Sequence, residues 1–301
     1  MHDLNNPGTR RLVALISVIL LMIVWGSTFL VTKEAVGEFP PFTLGAVRFL
    51  IATAGLGLIA AITRGRALLR PPMPLRQLFL LTLSGVALFI VALNYAMLWG
   101  SVTQAAIIYA LTPAAVGIAA VVALKEKLSR RRIIGIVLSI AGVVLVVATG
   151  AKTAAAPHPL LAAVAMLIVV IAWAIYTVVA KQVAGGDQLI VMTWIMGTGA
   201  LILLPFAGWE LLREGWPGVS TAGWLGVIFL GVVASGLAYL VYSWSLRHLE
   251  ASVVGVLSNL DPIVGVLSAV LFLGEVLGPW QIVGGVAALG GMALATKGEA
   301  G

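Results

Sequence analysis

Residues 12–32 read LVALISVILLMIVWGSTFLVT, an uncharged stretch of 21 residues. An α-helix rises about 1.5 Å per residue, so a helix of this length crosses a hydrocarbon core about 30 Å thick. Nine further apolar stretches follow, at residues 42–62, 77–98, 102–123, 133–149, 159–180, 189–208, 222–245, 252–273 and 280–296. The sequence therefore predicts an all-α membrane protein with ten transmembrane helices.

The overall composition is that of a chain surrounded mainly by lipid. Of its 301 residues, 61% are hydrophobic and 10% are charged, whereas about 25% of the residues in a typical globular protein are charged. A backbone in lipid must satisfy its own hydrogen bonds, which a helix does within each segment. A transmembrane barrel would instead show alternating segments of about 10 residues.

The charges indicate an orientation in the membrane. The net charge of +7 would suggest a nucleic-acid partner in a soluble protein, but here the cationic residues cluster in loops on one face. Fourteen lysines and arginines fall on that face, while Lys33, Lys152 and Arg213 fall on the other and Arg48 lies inside the second span. The positive-inside rule predicts that both termini are cytoplasmic. We expect no nucleic-acid partner.

The two halves of the chain carry the same pattern of residues. Trp25 has a counterpart in Trp173, at an offset of 148 residues. An offset of 149 relates Pro113, Glu126, Gly135 and Gly142 to Pro262, Glu275, Gly284 and Gly291. We predict two repeats, residues 1–150 and 158–301, joined by a linker at 151–157.

Each predicted repeat contains five spans, and this odd number has a topological consequence. The second repeat must enter the membrane from the side opposite to the first, so the repeats are inverted. Inverted repeats are the architecture of many secondary transporters, which bind substrate between the halves near the bilayer midplane. Duplication in a structural membrane protein is the alternative.

Several short motifs resemble a known family. They are VWGSTF at residues 24–29, Arg48–Phe49, the segment Pro113 to Glu126, and GEVL at residues 274–277 leading to Gly284–Gly285. Their order, spacing and duplication resemble EamA-type members of the drug/metabolite transporter superfamily over nearly the whole chain. The resemblance implies a ten-helix carrier of small molecules, often an exporter of amino acids or other metabolites.

Aromatic residues at membrane depth are candidates for a substrate pocket. Trp25 and Trp173 lie past the centres of their spans, too deep for the interfacial aromatic belt. Such rings could stack on a substrate while hydroxyl and indole groups donate hydrogen bonds. The predicted substrate-binding residues are Trp25, Thr28, Arg48, Tyr95, Trp99, Tyr109, Trp173, Tyr176, Tyr239, Tyr242 and Asn259. The alternative is that they only pack between helices.

Two charged residues lie inside predicted spans. Ionisable residues at this depth are costly and usually functional. Asp261 is a candidate for exchanging protons that couple to transport, or it bonds to nearby groups of its helix. Arg48 could pair with a substrate carboxylate or with an acidic residue of the protein.

Prolines and glycines suggest how the helices pack and move. Pro113 and Pro262 leave the carbonyls of Tyr109 and Ser258 without their usual helical donor, which predicts either hinges or static kinks. The repeated glycines of the fifth and tenth spans allow close helix approach. These spans could pack on each other in one molecule or form a dimer contact, so the sequence allows a monomer or a homodimer.

Other functions find less support in the residues. A serine protease needs a histidine at depth, but His2, His158 and His248 fall in loops or at helix ends. Gly185-Gly186-Asp187 only faintly resembles the signature of aspartyl proteases and lies at a span boundary. No ring of repeated carbonyls or charges indicates a channel. We predict no enzymatic activity, cofactor or metal.

The sequence thus predicts a secondary transporter in the inner (plasma) membrane, whose partners are a small-molecule substrate, the bilayer and, as a candidate coupling ion, the proton. Export of aromatic or apolar amino acids by alternating access is the leading hypothesis, because it follows from the family resemblance. A carrier for another metabolite or a drug-like cation, and a membrane scaffold without transport, are the alternatives.

Overall fold

A computed structural model describes residues 7–124, 129–149, 156–182, 186–245, 249 and 257–296 of the protein. Across these ranges the chain is helical and contains no strand. The predicted all-α class is therefore confirmed. Eight helices in these ranges are long and apolar enough to cross a membrane, and two shorter apolar helices follow them.

We number the helices α1 to α10 in chain order. They are α1 (Pro7–Ala35), α2 (Pro41–Arg64), α3 (Leu75–Trp99), α4 (Val102–Ala123), α5 (Arg130–Thr149), α6 (Pro159–Gln182), α7 (Gln188–Glu214), α8 (Thr221–Tyr242), α9 (Leu260–Leu273) and α10 (Pro279–Thr296). Each follows one of the apolar stretches of the sequence, because a helix satisfies its backbone hydrogen bonds internally where lipid offers none.

Two of the helices contain a wider π-helical segment, at Leu83–Leu88 in α3 and at Phe229–Leu237 in α8. The two segments occupy corresponding positions in the two halves of the chain. A π-helical segment disturbs the regular ladder of hydrogen bonds and often lies at a functional site. The segment in α8 borders the cavity described below.

The prolines of the fourth and ninth spans lie in the first turn of a helical segment, not in its middle. A turn at residues 110–111 interrupts α4, and Pro113 follows in the helical segment that begins at Thr112. Pro262 lies in the first turn of α9, after a turn at residues 258–259. A first turn tolerates proline because its N–H groups lack helical partners anyway.

The two carbonyls that lack their usual helical donor because of these prolines accept hydrogen bonds from other groups. The Thr112 hydroxyl donates to the carbonyl of Tyr109 at 2.6 Å. The backbone N–H of Asp261 donates to the carbonyl of Ser258 at 3.2 Å. Local turn and side-chain geometry replaces the donor that proline removes.

Helices α5 and α10 pack on each other within the molecule, which decides between the two arrangements that the sequence allowed for them. A Cβ atom added to Gly142 would lie 2.4 Å from the carbonyl oxygen of Gly284. The hydroxyl of Ser139 donates to the carbonyl of Ala288 at 2.8 Å. The glycines are therefore needed for this close approach.

Helix α7 holds α2 at both of its ends. The buried carboxylate of Glu210 accepts hydrogen bonds from the N–H groups of Phe42 and Thr43, at 3.0 and 2.7 Å, and from the Thr43 hydroxyl at 2.9 Å. At the other end Arg64 forms an ion pair with Asp187. Partial burial raises the pKa of Asp187, but hydrogen bonds from Arg64 and from the backbone outweigh it and lower the pKa below its usual value.

The central helices are α1 and α6, which make equivalent contacts in the two halves. Helix α1 packs against α8 and α9, and α6 packs against α3 and α4. The approach of α1 to α9 is close, because a Cβ atom on Gly26 would lie 2.6 Å from the carbonyl oxygen of Asp261. The interrupted helix α4 and the helix α9 thus each lie beside a central helix.

Glu275 and Lys33 bind helix ends on one side of the molecule. Glu275 accepts hydrogen bonds from the N–H groups of Val102 and Thr103, at 2.8 and 3.0 Å, and so caps α4. The Lys33 ammonium donates to carbonyls at the end of α3. Glu126, the repeat counterpart of Glu275, lies outside the described residues.

Candidate substrate site

A small cavity lies where helices from both halves of the chain meet. Its volume is about 50 Å³. The residues that line it come from seven helices: Trp25, Thr28, Phe29, Arg48, Phe89, Leu93, Tyr109, Trp173, Ala234, Tyr239 and Asp261. Six of the predicted substrate-binding residues and the predicted coupling residue therefore border one space.

Trp25 is at the centre of the aromatic wall. Its ring lies 6.5 Å from that of Trp173 in an edge-to-face arrangement, 5.6 Å from that of Tyr239 and 5.4 Å from that of Tyr242, all centre to centre. The indole N–H donates to the carbonyl of Ala234 at 3.1 Å. Because Ala234 belongs to the π-helical segment of α8, that segment helps to fix the orientation of the indole.

Two further aromatic rings contact Trp173, one from its own helix and one from α3. Tyr176 stacks on it with 5.1 Å between ring centres, and Phe89 of α3 lies 5.3 Å away. Tyr176 and Tyr242 do not line the cavity themselves but contact the two tryptophans that do. Both tyrosines therefore support the wall rather than form it.

The structure does not bring Tyr95, Trp99 or Asn259 to this cavity. Tyr95 and Trp99 contact each other, with 4.8 Å between ring centres, near the end of α3, and Tyr95 also meets Phe42 at the start of α2. Their spacing of four residues correctly predicts a shared helix face. Both residues lie too close to the end of α3 to reach the cavity. Asn259 lies in the turn before α9.

Two charged side chains face the cavity without pairing with each other. The Arg48 Nε donates to the hydroxyl of Ser235 at 2.8 Å, while its Nη1 has no hydrogen-bond partner among the described residues. The Asp261 Oδ1 has no hydrogen-bond partner within the same ranges of the chain. Among the described residues, Arg64 and Asp187 form an ion pair, but Arg48 does not pair with an acidic residue. Within the same residues, Asp261 Oδ1 does not bond to nearby groups of its helix.

Sequence reasoning missed four of the lining residues, Phe29, Phe89, Leu93 and Ala234. Phe29 follows Trp25 by one helical turn, so the helical period alone could have found it. Phe89 and Leu93 are also one turn apart, but nothing in the sequence indicates that Phe89 meets Trp173. These positions depend on how α3 packs against α6.

The cavity is too small for an amino acid in this conformation. Pockets for small ligands usually have volumes of about 300–1,000 Å³, so a cavity of about 50 Å³ has room for a few water molecules only. An apolar cavity of about 740 Å³ lies between α4, α5 and α6, but it lacks convergent polar groups. A substrate can enter the central site only if helices move apart.

Comparison with known proteins agrees with this arrangement. A sequence model of the EamA-like transporter family matches the chain twice, over residues 12–148 and 160–297. The chain belongs to the EamA-like transporter family. As a member, it is a multi-pass transporter of the inner membrane, as the sequence predicted.

Other members resemble the chain over most of its length. An uncharacterized transporter, YetK of Bacillus subtilis, is 27% identical over 94% of this chain and 86% of its own length. A probable amino-acid metabolite efflux pump of Salmonella typhimurium is 28% identical, with 91% of each chain covered. The aromatic amino acid exporter YddG of Ancylobacter novellus is 27% identical, with 83% of this chain and 85% of that protein covered.

A solved crystal structure shares the fold. It superposes with a TM-score of 0.64 and 21% sequence identity, over 94% of this chain and 98% of the other. The architecture of this family member is therefore matched over nearly its full length.

Proposed function

We propose that this transporter exports aromatic or apolar amino acids across the inner membrane by alternating access. The central cavity supports this proposal, because the rings of Trp25 and Trp173 meet there and Arg48 and Asp261 also line it. Aromatic walls suit an apolar side chain. Two of the relatives are named as amino-acid exporters. The buried guanidinium of Arg48 disfavours a purely cationic substrate.

We also propose that the chain crosses the membrane ten times as two inverted repeats, residues 1–150 and 158–301, with both termini cytoplasmic. The equivalent contacts of α1 and α6 support this arrangement. The corresponding π-helical segments of α3 and α8 support it as well. Discontinuous helices at the interface of inverted repeats are common in secondary transporters.

The turns before the two prolines are our candidates for the moving parts. The turn at residues 110–111 interrupts α4 before Pro113 and follows the lining residue Tyr109, and the turn at residues 258–259 precedes α9, whose first turn contains the lining residue Asp261 and Pro262. A turn within a span can absorb changes in backbone angles that a continuous helix cannot. We propose that these two prolines act as hinges when the cavity opens.

The proposed orientation can be tested by labelling single cysteines, because the chain contains none. Gly218→Cys should react with an impermeant thiol reagent in intact cells, whereas Ala67→Cys and Ser129→Cys should react only after lysis. The three positions are exposed in the structure. Labelling in the reverse pattern would contradict the orientation without affecting the repeats.

Transport itself is tested with purified protein in liposomes and a panel of labelled amino acids, with and without a pH gradient. We expect flux of phenylalanine to exceed that of charged amino acids. If Asp261 couples transport to protons, Asp261→Asn should remove the dependence of flux on the gradient. Glu214→Gln, an exposed residue, is the matched control. Absence of flux for every amino acid would refute the proposed function.

A further inference from the structure

Arg48 and Asp261 line the same cavity, and each has a buried polar atom without a hydrogen-bond partner among the described residues. Their side chains are 7% and 6% exposed, and Arg48 Nη1 and Asp261 Oδ1 have no hydrogen-bond partner among the described residues. An unsatisfied buried group loses its hydration without compensation, and the loss is larger for a charged group. Such a pair is expected where a ligand supplies the missing partners.

One hydrogen bond fixes the orientation of the Arg48 guanidinium and leaves its Nη1 without a partner among the described residues. The bond from Nε to the buried hydroxyl of Ser235 holds one edge of the guanidinium. Ser235 lies in the π-helical segment of α8, next to the Ala234 carbonyl that binds Trp25. The guanidinium can still donate through Nη1, and a carboxylate is the acceptor that its planar shape matches best.

Asp261 presents a carboxylate from the other half of the chain. It lies in the first turn of α9, where the helix dipole favours a negative group. No lysine or arginine pairs with it among the described residues. Its free oxygen can accept a hydrogen bond from an ammonium group.

We propose that the site recognises the zwitterionic backbone of an α-amino acid, with Arg48 binding the carboxylate and Asp261 binding the ammonium. The aromatic wall around Trp25 and Trp173 then contacts the side chain. An amine without a carboxylate leaves Arg48 unpaired, and an acid without an amine leaves Asp261 unpaired. A ligand that bears both charges satisfies both residues. This inference rests on the proposed function and names the chemical class of its substrate.

Because Arg48 is on α2 and Asp261 is on α9, a zwitterion bound by both residues connects the two halves. The two side chains do not form an ion pair with each other, so a ligand that binds both has no bond between them to break. Recognition of both charges therefore selects against amines and acids that share the same apolar group.

The test compares three ligands with one phenyl group: phenylalanine, 3-phenylpropionate without the ammonium, and 2-phenylethylamine without the carboxylate. Equilibrium binding of each radiolabelled ligand to the purified full-length protein is measured. Each analogue should bind about 10- to 100-fold more weakly than phenylalanine, since each loses one hydrogen bond to a charged group. This comparison uses the wild-type protein and does not depend on the folding of a variant.

Variants then assign each charge to its residue. Asp261→Asn should lose the discrimination against 3-phenylpropionate and keep that against 2-phenylethylamine. Arg48→Gln should show the opposite pattern. Arg213→Gln and Glu214→Gln, which change exposed residues outside the cavity, should bind all three ligands as the wild type does.

The outcomes separate this inference from the proposed function. If the wild type transports phenylalanine but binds the three ligands equally, the zwitterion site is refuted and amino-acid transport stands. A variant that changes both discriminations alike, while eluting as a monodisperse folded protein, also contradicts the assignment. If no amino acid binds or is transported, both proposals fail.

Discussion

Glu210→Ala is expected to lower the free energy of unfolding by about 3 kcal/mol. The Glu210 carboxylate is buried and accepts three hydrogen bonds from Phe42 and Thr43 in the first turn of α2. A hydrogen bond to a charged group contributes about 1.5–3 kcal/mol. The freed N–H groups have no helical acceptor in a first turn. Thermal unfolding of the detergent-purified variant would measure the loss.

Glu214 supplies a matched control for this prediction. It lies one helical turn after Glu210 on α7 and is exposed, so Glu214→Ala should change stability by less than about 0.5 kcal/mol. Glu210→Gln should fall between the two, because an amide can accept from one N–H but carries no charge. Equal unfolding temperatures for Glu210→Ala and Glu214→Ala would show that the cap between α7 and α2 contributes nothing.

Trp25→Ala and Trp173→Ala are expected to weaken apparent affinity for phenylalanine in liposome flux. Each removes one aromatic wall of the cavity, and one stacking partner contributes about 0.5–1.5 kcal/mol beyond area burial, or about 2- to 12-fold in affinity. Transport of alanine should be affected less, since its side chain offers no ring to stack. Trp216→Ala is the control, because Trp216 is 62% exposed and lies outside the cavity.

The structure distinguishes the two tryptophans, which the sequence treats as equivalent. Trp25→Phe also removes the hydrogen bond to the Ala234 carbonyl, and a buried acceptor left unpaired costs about 1–3 kcal/mol. Trp173 makes no such bond with the part of the chain that the structure describes, so Trp173→Phe should retain more activity. If all the variants transport phenylalanine like the wild type at equal expression, the tryptophans only pack between helices.

The helices and part of the site were predictable from the sequence, because hydrophobic length and helical period are local properties. Trp25, Thr28 and Phe29 lie on one face of α1 by spacing alone, and all three line the cavity. The pairing of α5 with α10 was one of the two arrangements that their glycines allowed.

Other features depend on tertiary packing and on register, which hydropathy does not report. The π-helical segments shift the faces of α3 and α8, so the positions of Phe89 and Ala234 could not be read from a regular helical period. The spacing of Tyr95 and Trp99 gives their shared face but not their neighbours. The turn before Pro113 was hidden because its residues, Ala110 and Leu111, are as apolar as the helix around them.

Alternating access requires that the cavity open to both sides of the membrane and bind the transported amino acid there. Thr28→Cys tests it most directly, because Thr28 is buried in the wall of the cavity and the chain has no other cysteine. We expect an impermeant thiosulfonate to modify this cysteine from either side in oriented vesicles, and phenylalanine to slow the modification several-fold. Ser129→Cys, outside the cavity, should react from the cytoplasmic side without protection. If Thr28→Cys is modified from neither side, or at a rate that phenylalanine does not change while flux proceeds, this cavity is not the path of transport.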